Sequence, residues 1–188
     1  MSELPALRQP EEEQPEEQPE PAAEHVAGRF EVPSGYRVLT GSPDGGDRAV
    51  AVVVAKFNGD VTSRLLERAL AELEEAGVDR DAVTVVPVPG AFELPLAAMA
   101  LAKSRKYACI VALGCVIRGE TAHFEYVAGE AASGLQLAAI ETGVPVSFGV
   151  LTTDTAEQAE ARIDRAADAV RGALEMADIF SQLRAAAE

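Results

Sequence analysis

Two hydrophobic periods alternate along the chain from Ala49 onward. The run 49–55 (AVAVVVA) is short, rich in β-branched residues and apolar at every position, the pattern of a strand covered on both faces of a parallel sheet. Over 61–76 the period changes. Leu65, Leu66, Ala69, Leu70 and Leu73 make an apolar stripe against Arg64, Glu67, Arg68, Glu72 and Glu75, and Gly77 stands where a helix ends, which predicts an amphipathic helix. The alternation then repeats three times, with strands expected over 83–87, 108–113 and 146–151 and helices over 92–103, 122–142 and from Thr155 onward. Two overlapping capping boxes open the last helix, Asp154 with Glu157 and Thr155 with Gln158. Four consecutive βα units predict an α/β three-layer sandwich, a mainly parallel four-stranded sheet with helices on both faces and right-handed crossovers.

Ahead of Arg48 the pattern weakens. Residues 36–40 (YRVLT) are a candidate short strand before the turn-rich 41–47. Residues 1–24 carry eight glutamates against Arg8 alone, with five prolines; such a segment has too little to bury and is expected to be disordered. The expected organisation is therefore an acidic tail over 1–24, an N-terminal extension over 25–47 and one α/β domain over 48–188.

Composition narrows the function classes. The 188 residues carry a net charge of −15, a field that repels phosphate backbones and anionic lipid surfaces, so nucleic acid is not expected as a partner. No run approaches the roughly 18 apolar residues of a membrane span, and the acidic N-terminus is unlike a signal peptide. Cys109 and Cys115 lie on one expected strand and its exit loop, up to about 20 Å apart at strand rise, too far to bridge. Two unpaired thiols and no secretion signal suggest a reducing, cytoplasmic setting.

In a parallel α/β sheet, ligands bind at the carboxyl ends of the strands. The four loops expected there read Lys56-Phe57-Asn58-Gly59-Asp60, Val88-Pro89-Gly90-Ala91-Phe92-Glu93, Gly114-Cys115-Val116-Ile117-Arg118-Gly119-Glu120-Thr121 and Thr152-Thr153-Asp154. Of only six phenylalanines, Phe57 and Phe92 fall in these loops, Phe124 in the following first turn and Phe148 within the fourth strand. Aromatics at that edge suit a flat ring substrate, although Phe124 and Phe148 also read as ordinary core.

Gly119-Glu120-Thr121 leads straight into a helix, whose free N–H groups and dipole offer a phosphate seat, provided that the Glu120 side chain points away. The glycine-lysine phosphate loop and the Gly-x-Gly-x-x-Gly pattern are both absent. With His25 in the extension, His123 is the folded region's only imidazole, the side chain suited to proton transfer near neutrality. One such histidine and two distant cysteines make no metal constellation, and no serine elbow or Cys-His motif is present.

Taken together, these loops resemble the lumazine synthase family. The resemblance rests on Phe57-Asn58, on 88–95 (VPGAFELP), on 113–127 (LGCVIRGETAHFEYV) and on 144–155 (VPVSFGVLTTDT), in that order and spacing, and covers about 36–180. It implies a flavodoxin-like fold and the condensation of 5-amino-6-ribitylamino-pyrimidinedione with 3,4-dihydroxy-2-butanone 4-phosphate to 6,7-dimethyl-8-ribityllumazine, a step of riboflavin biosynthesis that needs no cofactor or metal. By the same resemblance Phe57 stacks on the pyrimidine, and Asn58, Ala91, Phe92, Glu93, Val116 and Ile117 hold the ring and ribityl chain. Gly119, Glu120, Thr121 and Arg162 receive the phosphate, and His123 moves protons. Phe148 and Arg162 would come from a neighbouring subunit, which makes the partners two small molecules, further copies of the chain in a pentamer or an assembly of pentamers, and riboflavin synthase.

One departure stands out. The segment between Arg162 and Glu175-Met176 is a few residues shorter than in the family, and no lysine follows Lys106, so the family's active-site lysine has no counterpart. Arg118, which can shape its loop or pair with Glu120, and Arg165, one turn beyond Arg162, are alternative cations for the phosphate. The shortening also motivates a second reading, a scaffold of the same architecture with reduced or lost catalysis.

Overall fold

The computed structural model describes residues 30–186, so the expected acidic tail over 1–24 lies outside the described residues. The described residues fall into two units, 30–38 and 39–186. In the first, the described residues hold a turn at 34–35 and no regular element. The candidate strand over 36–40 does not form: those residues are exposed and lie in no sheet ladder, and the Thr40 carbonyl accepts from a side chain, Gln182 Nε2 at 3.0 Å, where a strand would have a backbone partner.

The second unit contains the sheet. In chain order its elements are β1 (Val50–Ala55), α1 (Gly59–Glu75), β2 (Val83–Val88), α2 (Leu94–Lys103), β3 (Cys109–Ile117), α3 (His123–Thr142), β4 (Val146–Thr153), α4 (Ala156–Glu160) and α5 (Arg165–Ala185). The strands are ordered β2-β1-β3-β4, and every pairing is parallel. Side chains alternate across β1, so Val50, Val52 and Val54 enter one core with Leu65, Leu73 and Leu174, while Ala51, Val53 and Ala55 enter another with Leu94, Ala98 and Leu135. Thus α1 and α5 cover one face and α2 and α3 the other, the expected three layers.

Four local expectations are corrected. β3 runs to Ile117 and β4 to Thr153, beyond their expected ends, because 114–117 pair with 150–153; Cys115 is therefore on the strand and not in its exit loop. The last helix is two helices. Thr155 caps the first, its Oγ1 accepting from the Gln158 N–H at 3.2 Å, and the chain turns at 161–164, where Ile163 packs on the core and Asp164 accepts from Arg68 Nε at 3.3 Å. Helix α2 starts at Leu94, after a single 3₁₀ turn at Ala91–Glu93. Glu72, placed by periodicity on the wet side of α1, is buried between Arg68 and Arg171, both at 2.7 Å.

Helix α3 buries Ala131, Leu135 and Ala138 but leaves Tyr126, Leu137 and Ile140 exposed. A Cβ on Gly134 would lie 2.6 Å from Pro95, so only glycine lets α3 approach α2 this closely. No helix among the described residues is long and apolar enough to cross a membrane.

Candidate active site

At the carboxyl edge of the sheet the ends of β1, β2 and β3 and the start of α3 enclose a cavity of about 560 Å³. Its construction begins where β1 ends. Lys56 N–H donates to the Val88 carbonyl at 2.8 Å and Phe57 N–H to the Pro89 carbonyl at 3.2 Å, which ties the first loop to the second. Asn58 then adopts the left-handed conformation, φ 56°, one that asparagine tolerates better than most residues. Its Nδ2 donates to the Cys115 carbonyl at 2.8 Å. The Phe57 ring is left standing open, 74% exposed, across from Phe92 at 57%. Two uncovered aromatic rings lining one cavity are poor core and good stacking surfaces.

The opposite wall is the start of α3. Gly119 and Thr121 line the cavity, and His123 is the first helical residue, so the start of the helix, where backbone N–H groups lack an intrahelical acceptor one turn back, lies at the cavity rim. Thr121 Oγ1 accepts from the His123 N–H at 3.4 Å. Arg118 is not among the lining residues. It pairs through Nε with Asp154 at 2.7 Å and through Nη1 with Glu125 at 3.4 Å, and its guanidinium lies 4.5 Å from the Phe124 ring centroid. The suggested pairing with Glu120 is replaced by these two carboxylates, which converge on Arg118, while Glu120 is exposed.

Ten of the expected site residues meet in this cavity: Phe57, Asn58, Ala91, Phe92, Glu93, Val116, Ile117, Gly119, Thr121 and His123. Glu120, Phe148 and Arg162 do not. Glu120 is exposed beside it. Phe148 and Arg165 line a separate open cleft of about 420 Å³ along β4 and α5. Arg162 is exposed near α4, its Nη1 donating to the Gln158 carbonyl at 2.8 Å. Arg165 is paired with Asp168 at 3.1 Å.

The cavity also takes Gly90, Cys115, Phe124, Tyr126 and Val127. Of these, Tyr126 and Val127 lie three and four residues after His123, hence on the same helix face, a spacing that would have found them. Gly90, Cys115 and Phe124 already fall in the loops and first turn read from the sequence at this edge; that Cys115 is on the strand follows only from the continuation of β3. Burial raises the thiol of Cys115, and it raises that of Cys109 to about 12, so neither is an activated nucleophile.

A family model for 6,7-dimethyl-8-ribityllumazine synthase matches residues 47–181, a span that holds the whole sheet and every cavity residue. The chain belongs to this family. The resemblance read from the loops is borne out, and with it the α/β flavodoxin-like fold. The lumazine synthase family works in riboflavin biosynthesis with transferase chemistry, binds small-molecule substrates and generally forms pentamers.

Proposed function

We propose that this member of the family catalyses the 6,7-dimethyl-8-ribityllumazine-forming condensation itself, joining 5-amino-6-ribitylamino-pyrimidinedione to 3,4-dihydroxy-2-butanone 4-phosphate with release of phosphate and water. The observation that carries this reading is the cavity in which a stacking ring, a polar strand edge, a helix start and an imidazole converge. Phe57 stacks on the pyrimidine, and Asn58, Ala91, Phe92, Glu93, Val116 and Ile117 hold the ring and ribityl chain. Gly119, Glu120 and Thr121 receive the phosphate. His123 moves protons as the Schiff base forms, phosphate departs and the ring closes.

Holding two reactants together can supply up to about 7–11 kcal/mol of such a barrier, which is why one histidine suffices. The site is completed by Phe148 and Arg162 of an adjacent copy in a homo-oligomer, a reading supported by the absence of both from the cavity lining of one chain and by the uncovered apolar residues of α3. The working domain is 48–188, the setting cytoplasmic, and riboflavin synthase the partner that takes the product.

Purified protein incubated with both substrates should develop the absorbance and fluorescence of the lumazine. Light scattering should show an assembly of five or a multiple of five subunits; a monomer at micromolar concentration contradicts the shared site. The missing lysine after Lys106 favours a second reading, a shell or ring with little catalysis. Assembly without lumazine formation is the result that selects it.

A further inference from the structure

We propose that Arg118 is a positioning residue, a clamp that fixes the turn at 119–122 for its phosphate and does not itself hold the anion. The turn has little else to hold it. Its residues are exposed, a Cβ on Gly119 would meet nothing within 4 Å, and the side-chain bond inside it is the long one from the His123 N–H to Thr121 Oγ1 at 3.4 Å, so its two ends do much to set its path.

Arg118 grips both ends. Behind the turn, its N–H donates to the Thr153 carbonyl at 2.9 Å, extending the β3–β4 ladder by one residue, and its Nε holds Asp154 at 2.7 Å. Ahead of the turn, the same guanidinium reaches Glu125 at 3.4 Å and lies over Phe124. The side chain thus ties Asp154, the residue after β4, to the first turn of α3, and the backbone bond to Thr153 fixes where that side chain starts.

The same contacts argue against a direct anchor. A guanidinium between two carboxylates has its charge compensated, and a phosphate drawn to it would approach Asp154 and Glu125, a like-charge encounter. Each contact is partly exposed, and their joint effect is modest.

This inference rests on the phosphate reading of the turn, and its test separates the two. Hydrogen exchange of the 119–122 amides is measured in the substrate-free protein for wild type, Arg118→Ala, Asp154→Ala and the double variant, together with steady-state kinetics for both substrates. For the clamp, either single variant speeds exchange of the turn and raises the KM for the butanone phosphate by about five- to tenfold, with the KM for the pyrimidine and the melting temperature unchanged. The double variant is no worse than either single one. The proposal is overturned if exchange is unchanged in Arg118→Ala, or if Asp154→Ala keeps or improves affinity for the butanone phosphate while Arg118→Ala loses it, the signature of an anchor freed from its counter-ion. Faster exchange in a chain whose wild type forms no lumazine upholds the clamp and removes the reaction alone.

Discussion

The side-chain amide of Asn58 donates to the Cys115 carbonyl at 2.8 Å, across 57 residues of sequence. This one bond links the end of β1 to β3 inside the cavity and fixes which way the amide faces. It also helps to hold Asn58 in its left-handed conformation, φ 56°.

Replacement of Asn58 tests both roles. Asn58→Ala loses the bond and places alanine in an unfavourable backbone region, which should cost about 1–3 kcal/mol in chemical denaturation and weaken pyrimidine binding. Asn58→Gly restores the backbone freedom without the bond. It should recover stability more than affinity; equal recovery of the two would mean that the hydrogen bond does nothing for the ligand.

His123 begins α3 at the cavity wall. As the group that moves protons, its replacement by Ala should slow lumazine formation by at most roughly 10²–10⁴, less where juxtaposition dominates. Both substrates should still bind. Turnover at the wild-type rate in a folded His123→Ala protein would leave the imidazole with no part in the chemistry.

For the phosphate anchor, Arg162 is the better placed of the two cations near α4. Arg165 is already compensated by Asp168 at 3.1 Å, whereas Arg162 spends a donor on the neutral Gln158 carbonyl and keeps its charge for a ligand. Arg162→Ala should raise the KM for the butanone phosphate well above any effect on the pyrimidine, and Arg165→Ala should do less. The reverse order would transfer the role to Arg165, which shares its cleft with Phe148.

Acid should loosen the seam between α1 and α5. Burial pushes the Glu72 carboxyl up, but hydrogen bonds from Arg171 and Arg68 outweigh that and hold it below the ordinary carboxylate range. A depressed folded value means that the unfolded chain binds the proton first. The stabilisation is therefore complete above the unfolded value of about 4.3 and is lost as pH falls through the folded one. Glu72→Gln should cost about 1–3 kcal/mol near neutrality, a deficit that shrinks in urea titrations run at progressively lower pH. A deficit independent of pH would disconnect Glu72 from the acid limb.

What the sequence determined by itself was the local layer of this protein: β-branched runs for strands, a leucine stripe for α1, and the ordered loop motifs from Phe57-Asn58 to Thr152-Thr153 that name the family. Those features depend on neighbours within a few residues, and periodicity reports them directly. Tertiary structure decided where an element's partner lies far away in sequence. β3 reaches Ile117 only because β4 supplies the ladder, and this carries Cys115 into the cavity wall. The helix after Thr155 breaks at 161–164 without a glycine or proline, where Ile163 meets the core and Asp164 meets Arg68. Glu72 is buried because two arginines, one of them 99 residues away, meet it there. Arg118 turns from Glu120 to Asp154 and Glu125. Charged side chains are long, and their partners are chosen by which surfaces the fold brings together, a quantity that no local pattern encodes.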